Sequence, residues 1–404
     1  METRDPGERF DAAVALDNAG RPDEAAALLR ALVAEVPDFG AAWALLGTID
    51  AIAGRSQEAL QSLLRAAMLL PHDGGIQNNI GNLYATLGDG DAALAAFDRS
   101  LELRPDHAIT LHNRGKLLRR GGRPDLAMES FDRAVRIDDG FTECWHSRAA
   151  LLAARAHETG EPSDMSHAAA AWRDALARGV DRTEAEFAIA ALGEGSAPPI
   201  APRFYVEGLF DRYASRFDKH LVEVLGYRTP GELCALALSG REGLPPVDVV
   251  DLGCGTGLCA PLLRPVARTL VGVDLSEGML EQARERGGYD RLLREELVEH
   301  LKANPAAYDL AVSSDVLVYI GDLAPLFGAA FGALRPGGRL AVSVEHLDGD
   351  GRYELQTTRR YRHSRDYVES TARAAGLRVE NALLTELRRE GRSWIRGGLY
   401  LLSR

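Results

Sequence analysis

Three glycines in one short turn, followed by a distant acid, form the pattern with the clearest chemical meaning. Gly253, Gly255 and Gly257 come directly after the apolar run 247–250, which is typical of a buried parallel strand. Glycine lets backbone N–H groups approach a ligand closely, and the N-terminus of the following helix favours negative charge. Asp274 ends the next apolar run, 21 residues after the first glycine, where its carboxylate can accept hydrogen bonds from ribose hydroxyls. The pattern predicts a pocket for a nucleoside with an anionic tail.

The spacing of the glycines separates the possible ligands. A dinucleotide site requires G-x-G-x-x-G, but the third glycine here comes one residue early and Leu258 stands in its place. The P-loop pattern of nucleoside triphosphate sites is absent. Residues 251–257, Asp-Leu-Gly-Cys-Gly-Thr-Gly, resemble the first motif of class I S-adenosylmethionine-dependent methyltransferases. The resemblance implies S-adenosylmethionine as cofactor, with the turn facing its methionine portion and the acid at position 274 binding its ribose. A plain strand-to-helix connection without a ligand is the alternative.

The same resemblance extends along two further predicted strands, 291–297 and 308–317, and along 334–345, which is predicted as a helix end, the family's L-R-P-G-G turn and a fifth strand. In the family, a Leu and a Met after the second strand pack near the adenine, and an acid near the end of the third accepts a hydrogen bond from the adenine amino group. Glu296 fits this acid best, with Glu295 as the alternative. The alternatives are that Met279 only fills the hydrophobic core and that the glutamate is a solvated surface residue without a ligand. The predicted cofactor-binding residues are Asp251, Gly253, Cys254, Gly255, Gly257, Asp274, Leu275, Met279, Glu296, Leu297, Ser314 and Asp315.

The sequence gives less information about the methyl acceptor than about the cofactor. Methyl transfer from a sulfonium is an in-line displacement that depends mainly on alignment, and a general base is needed only when the acceptor must lose a proton. No catalytic residue is therefore assigned, and the spacing of the four cysteines matches no metal site. The N/D-P-P-Y tetrapeptide of enzymes that methylate DNA bases or glutamine is absent. Candidate positions on the acceptor side are Asp315, Tyr319, Glu345, His346, Tyr361 and His363, of which Tyr319, His346 and His363 are the predicted substrate residues.

The first half of the chain repeats itself with a period of 34 residues. Pro37, Pro71 and Pro105 share this step, as do Gly-x-x-x-x-Ala segments that begin at Gly20 and Gly54 and continue to position 122. The period, with small and aromatic residues at fixed offsets, resembles the tetratricopeptide repeat, a pair of packed helices. The predicted repeats cover 6–39, 40–73, 74–107 and 108–141, with a degenerate fifth unit over 145–177.

Stacked helix pairs form an array with a concave surface, and the resemblance implies that this surface binds a protein or peptide partner. Packing against the second half, or dimerisation, is the alternative, and the oligomeric state stays open. The first 200 residues carry 31 acidic and 20 basic side chains, which disfavours nucleic acid as a partner. No secretory signal and no apolar run of membrane-spanning length is visible, so we expect a cytoplasmic protein without a membrane partner.

These patterns divide the chain into a repeat array at 1–192, a proline-rich linker at 193–202 and a methyltransferase domain at 203–404. The predicted fold is a helical solenoid followed by a Rossmann-like α/β domain with a mixed seven-stranded sheet. Strands at 377–387 and 394–402, joined by a short polar connection containing Arg388, form its antiparallel edge. An amphipathic helix at 204–221 precedes the first strand. We expect Tyr213, Phe217 and Tyr227 near the pocket, although these aromatics also suit a core.

The whole pattern resembles a bacterial group of tetratricopeptide-containing predicted methyltransferases. It predicts transfer of a methyl group from S-adenosylmethionine to an unidentified acceptor, with the array recruiting a protein partner or substrate. A small-molecule acceptor, with the array serving assembly, is the second hypothesis. The third is a non-catalytic binding scaffold, which the intact glycine turn and Asp274 disfavour.

Overall fold

The computed structural model describes residues 5–214, 217–218, 226–390 and 393–404. Contacts group the chain into two compact units. The first comprises Met1–Arg155 and Ala170–Val180, and the second comprises Ala156–Ala169 and Asp181–Arg404. Among the described residues, none of the helices combines the length and the apolarity needed to cross a membrane.

Each of the four predicted repeats contains one pair of antiparallel helices. Their bounds are α1 (Pro6–Asn18) and α2 (Pro22–Glu35), α3 (Gly40–Ile52) and α4 (Ser56–Leu69), α5 (Gly74–Leu87) and α6 (Gly90–Leu103), and α7 (Ala108–Arg120) and α8 (Pro124–Ile137). The degenerate fifth unit corresponds to α9 (Thr142–Thr159) and α10 (Pro162–Ala177). The predicted helical solenoid is therefore present.

Small residues set the distance between the helices of a pair. An alanine recurs in the second helix of each pair and is fully buried at positions 25, 59, 93 and 127. A glycine of the first helix faces a large side chain of the second, so that a Cβ at Gly115 would lie 2.5 Å from the ring of Phe131. Because protein interiors are close-packed, no other residue type fits this position without movement.

Replacing Gly115 with Ala is therefore expected to destabilise the array by about 1–3 kcal/mol, as overpacked cores do. Native-state hydrogen exchange of the α7 and α8 amides in the full chain measures this change. Gly90→Ala is the matched control, because nothing lies within 4 Å of its Cβ position and alanine favours helix. Equal protection in the two variants would contradict the close packing of α7 on α8.

The second unit contains one sheet of nine strands among the described residues. The path of neighbouring strands is β3-β2-β1-β4-β5-β7-β6, and β9 joins β5 to β8. Strands β1 to β5 are mutually parallel, whereas β9 pairs antiparallel with both β5 and β8. The strands are β1 (Val247–Leu252), β2 (Ala267–Asp274), β3 (Arg291–Arg294), β4 (Tyr308–Ser313), β5 (Leu334–His346), β6 (Tyr353–Leu355), β7 (Tyr361–His363), β8 (Arg378–Glu390) and β9 (Ser393–Ser403).

Helices cover both faces of this sheet. They are α11 (Arg182–Ala191), α12 (Arg203–Tyr213), α13 (Thr229–Leu238), α14 (Ala260–Leu263), α15 (Glu277–Arg286), α16 (Leu297–Ala303), α17 (Ala324–Ala333) and α18 (Arg365–Ala374). All six residues of β1 are buried, as expected for a central parallel strand packed on both faces. One apolar core contains Val250 and Phe327, and the other contains Val249 and Leu233.

The predicted Rossmann-like mixed sheet is confirmed, with differences in the number and the ends of its strands. All seven predicted strands are present, and two short ones, β6 and β7, raise the total to nine. The third strand ends at Arg294 rather than at residue 297, because the Glu296 side chain accepts a hydrogen bond from the Glu299 N–H (2.8 Å) and starts α16. The helix predicted at 204–221 begins as α12, and its residues 215–216 and 219–221 lie outside the described part of the chain.

Within the second unit, the proline-rich segment before α12 is hydrogen-bonded to the segment that follows β4. The Ala201 N–H donates to the carbonyl of Tyr319 (2.8 Å), and the N–H groups of Gly321 and Asp322 both donate to the carbonyl of Pro199 (2.8 Å each). Contacts thus group α11 and this segment with the sheet, whereas the sequence suggests an array to residue 192 and a linker at 193–202. The three-part division stays a prediction.

Candidate functional site

A cavity of about 740 Å³ opens at the carboxyl edge of the sheet. This is the edge where parallel α/β sheets bind ligands, and the volume lies in the range of small-molecule sites. The walls come from the glycine turn after β1, from the ends of β2 and β4, and from α12 with the proline-rich segment before it. Segments distant in the sequence therefore share one concave surface.

Most of the predicted site residues line this cavity. From the predicted cofactor set these are Gly253, Gly255, Asp274, Leu275, Met279, Glu296, Leu297, Ser314 and Asp315. They are joined by the substrate candidate Tyr319, by the alternative acid Glu295, and by the aromatics Tyr213, Phe217 and Tyr227. The set combines the backbone of a tight turn, four carboxylates and a largely apolar surround.

Three residues of the predicted turn motif do not line the cavity. The Tyr289 hydroxyl donates to Asp251 Oδ2 (2.6 Å), and burial raises the pKa of Asp251 to about 7. A Cβ at Gly257 would lie 3.1 Å from the Tyr289 ring. Burial also raises the pKa of the Cys254 thiol, which suits a small packed residue better than a nucleophile. These residues support the turn from the side of Tyr289.

The two histidines predicted on the acceptor side also lie elsewhere. His363 is fully buried in β7, where Nε2 donates to the carbonyl of Ile320 (2.8 Å), and burial lowers its pKa to about 4. His346 Nε2 lies 3.3 Å from Asp348 Oδ1, an exposed carboxylate. Neither histidine is among the cavity-lining residues. Each is held by contacts at the end of β5 or in β7, and their assignment as substrate residues stays a prediction.

The Asp274 carboxylate links the glycine turn after β1 to the segment after β2. Its Oδ2 accepts the Gly255 N–H (2.8 Å), and its Oδ1 accepts the Ser276 N–H (2.9 Å). A carboxylate has about four acceptor positions, so each oxygen retains capacity for a further donor. Burial raises the pKa of Asp274, while these backbone hydrogen bonds oppose the shift.

The turn itself requires glycine at two positions that line the cavity. Gly253 has φ +70°, and a Cβ there would lie 2.2 Å from Val316 Cγ2. Gly255 has φ +54°, and none of the described residues lies within 4 Å of its Cβ position. The first glycine therefore allows the turn to pack against the segment after β4, and the second leaves space beside the backbone.

Two aspartates attach α12 and the residues after it to the cofactor side of the cavity. Asp211 Oδ1 accepts from the Ser276 hydroxyl (2.5 Å), and Asp218 Oδ1 accepts from the Thr256 hydroxyl (2.5 Å). Asp218 also forms an ion pair with Arg286. The attached segment contributes Phe210, Tyr213 and Phe217 to the wall. Sequence reasoning missed Phe210, although it lies in the same amphipathic pattern as the other two.

A charged network lies in the cavity wall next to the segment after β4. Arg388 is 3% exposed; its Nη1 donates to Asp315 Oδ2 (2.6 Å), and its Nη2 donates to Glu345 Oε1. Arg360 Nη1 lies 3.7 Å from the same Glu345 oxygen. Arg388 and Arg360 both line the cavity. Two carboxylates and two guanidinium groups thus compensate one another away from bulk water.

The position of Arg388 corrects a prediction. The sequence placed it in a polar connection between strands, but β8 extends to Glu390 and carries a bulge between Glu386 and Arg388. A bulge inserts an extra residue and redirects the side chains that follow. Arg388 therefore turns into the interior, and the alternation of polar and apolar residues gave no signal of it.

Comparison with known proteins identifies both parts of the chain. A family model described as a methyltransferase domain matches residues 250–342, and two tetratricopeptide models match 10–73 and 74–139. Residues 250–342 are a methyltransferase domain. The predicted tetratricopeptide repeats are likewise confirmed.

Two curated relatives match the methyltransferase part. Malonyl-[acyl-carrier protein] O-methyltransferase of Pectobacterium atrosepticum is 31% identical over 137 residues, which are 34% of this chain and 49% of that protein. A probable S-adenosylmethionine-dependent methyltransferase of Mycolicibacterium smegmatis is 35% identical over 98 residues, 24% of this chain and 37% of that protein. The chain spans half or less of the length of both relatives.

A solved structure is similar to about half of this chain. The Burkholderia thailandensis 1,6-didemethyltoxoflavin-N1-methyltransferase, with bound 1,6-didemethyltoxoflavin and S-adenosylhomocysteine, has a TM-score of 0.42 and 20% identity, covering 52% of this chain and 93% of its own.

Proposed function

We propose that the chain transfers a methyl group from S-adenosylmethionine to an acceptor bound in the cavity, and that the repeat array recruits the protein that is methylated or that carries the acceptor. One observation supports the first part above all. The glycine turn and Asp274 line the same cavity as Ser314, Asp315 and Tyr319. This shared cavity supports adjoining places for cofactor and acceptor.

The residues at the turn end fit the cofactor. The Asp274 oxygens retain acceptor capacity for two ribose hydroxyls, and the open side of Gly255 leaves the backbone accessible. Leu275, Met279 and Leu297 provide an apolar surround for an adenine ring. Both glutamates beside them are oriented, because Glu296 caps α16 and Glu295 Oε2 lies 2.7 Å from His300 Nδ1. When bound, the cofactor supplies an activated methyl carbon on a sulfonium sulfur.

The chain's own residues then align and shield the acceptor. The rings of Phe210 and Tyr319 meet edge to face at 5.5 Å and exclude water from the acceptor side. The Tyr227 hydroxyl lies 3.2 Å from Ser314 Oγ, and burial raises its pKa far above the ordinary value, so it stays protonated. Holding the acceptor in line with the breaking bond is the main contribution that a protein makes to such a displacement.

Polar side chains form a row along the first helices of successive repeats, and this row supports partner binding. Thr48 of α3 lies 3.5 Å from Asn79 of α5, and Asn113 of α7 donates to Asn78 Oδ1 (3.2 Å). Side-chain amides on the first helices of successive repeats can hydrogen-bond the main chain of an extended peptide. This row supports a peptide partner, with no bearing on its identity.

Two measurements test the proposal. Calorimetric titration of the full chain with S-adenosylmethionine should give saturable binding, and a chain that binds none would leave only the scaffold hypothesis. Labelled methyl transfer into extract of the cells that make the protein, fractionated into proteins and small molecules, then identifies the acceptor pool. Label in proteins that is lost in an Asn79→Ala, Asn113→Ala double variant supports recruitment by the array. Unchanged transfer in that variant favours the small-molecule hypothesis.

A further inference from the structure

Asp315 has an unusual backbone for its residue type. It follows β4 with φ +60°, a left-handed conformation that aspartate and asparagine adopt more readily than other non-glycine residues but still at some cost. Its N–H donates to the Ser343 hydroxyl (2.7 Å), which fixes the turn from the neighbouring strand. Strain of this kind persists where the surrounding structure requires a particular side-chain position.

One oxygen of this carboxylate lacks a partner. Oδ2 accepts from Arg388, whereas Oδ1 is buried and makes no hydrogen bond within the described residues. The other cavity carboxylates are engaged: Asp274 by two N–H groups, Glu296 by the cap of α16 and Glu295 by His300. Leaving a buried acceptor unpaired costs about 1–3 kcal/mol. A donor on a bound molecule would recover this cost.

The position of Asp315 is that of the acceptor rather than the ribose. Asp274 ends β2 and Asp315 follows β4, with β1 between them. Neighbouring strands are about 4.8 Å apart, so β2 and β4, with β1 between them, are about 10 Å apart. Tyr227, Tyr319 and Arg388 line the same cavity as Asp315, and Arg388 contacts Asp315 directly. Burial raises the pKa of both tyrosines, so their hydroxyls stay protonated and cannot take up a proton.

We propose that the methyl acceptor is a neutral O–H or N–H group on a largely apolar molecule, and that Asp315 Oδ1 is the catalytic base that receives its proton. The inference rests on the proposed function.

The acceptor atom forms its bond to the methyl carbon as the carbon–sulfur bond breaks, and the electron pair of that bond stays with sulfur. The proton passes from the acceptor to Oδ1 and is later released to water. Arg388 is a positioning residue that keeps Oδ2 occupied and so leaves Oδ1 to face a bound molecule. A carboxylate acceptor has no proton to give at neutral pH and would leave Oδ1 without a donor.

The first experiment replaces Asp315 with Asn in the full chain. Asparagine tolerates positive φ and keeps the shape of the side chain but cannot accept a proton. We expect the rate of labelled methyl transfer into cell extract to fall at least 100-fold, as on loss of a general base. The affinity for S-adenosylmethionine, measured by calorimetry, should change less than threefold. Glu354→Gln, at an exposed position of β6, is the control and should retain the wild-type rate.

The second measurement identifies the bond that is made. Carboxyl methyl esters release methanol in mild alkali, whereas methyl ethers and methylamines are stable. We expect the label to be stable to alkali. Alkali-labile label, or a wild-type rate in Asp315→Asn, would overturn the role of Asp315 while leaving the methyltransferase assignment intact. A wild-type chain that binds no S-adenosylmethionine would overturn the proposed function and this inference together, and cofactor binding without any transfer would count against both.

Discussion

Replacing Asp274 with Asn is expected to weaken the binding of S-adenosylmethionine about 100-fold or more. The carboxylate already accepts the N–H groups of Gly255 and Ser276, one on each oxygen. An amide has one acceptor oxygen, and its NH₂ group would face one of these N–H donors. The variant therefore cannot support the turn and both ribose hydroxyls at once. Two lost hydrogen bonds to a charged group, at about 1.5 kcal/mol or more each, correspond to about 3 kcal/mol.

Calorimetric titration of the full chain measures this effect, and Asp248→Asn is its matched control. Asp248 is a buried aspartate of the neighbouring strand β1, but it lies at the opposite edge of the sheet, where it accepts hydrogen bonds from Arg268 and Thr269. The ion pairs hold the pKa of Asp248 well below its usual range. Its loss should lower stability without changing the dissociation constant. Equal weakening by both substitutions would indicate that stability, rather than the ribose contact, governs binding.

Local features of the site could be predicted from the sequence because their causes are local. The turn after β1 requires backbone conformations that favour glycine, and Gly253 and Gly255 both have positive φ. The helix pairs of the array follow the 34-residue period for a similar reason, since Gly115 and the buried alanines have packing roles that only small side chains fulfil. Residue type and spacing were sufficient in these cases.

Features that depend on tertiary packing were missed. Arg388 has no sequence signal, because a bulge in β8 decides where its side chain lies and its two carboxylate partners are 73 and 43 residues away. The contribution of Ile200 and Ala201 to the cavity wall depends on the backbone hydrogen bonds that join Pro199 and Ala201 to Tyr319, Gly321 and Asp322. Composition alone favours a linker there. Likewise, His363 lies in a short strand, β7, whose pairing with β5 could not be inferred from three residues.

The charged network around Arg388 should stabilise the protein, and the loss of stability on replacing Arg388 should depend on pH. In Arg388→Met, Asp315 and Glu345 lose the buried guanidinium that contacts both, while the unbranched side chain fills a similar volume. Removing one partner of a buried ion pair costs about 3–5 kcal/mol, because the remaining charge stays desolvated. Native-state hydrogen exchange of the β5 amides at neutral pH measures this loss. Arg396→Met is the control, since its pairing with Asp348 is largely exposed and such pairs contribute at most about 1 kcal/mol.

The pKa of Glu345 decides whether the loss of stability grows or shrinks as the pH rises. Burial already raises the pKa of Glu345, and Arg388, Arg360 and the like charge of Asp315 act on it in opposite directions. Without Arg388 the pKa of Glu345 rises further above its unfolded value. A carboxyl group with a raised folded pKa favours the folded state when protonated, so its contribution is lost as the pH rises through that pKa. The deficit of Arg388→Met relative to the wild type should therefore be larger at pH 8 than at pH 5. A deficit that is the same at both pH values would mean that Glu345 is not the group left unpaired, and that the loss comes from packing alone.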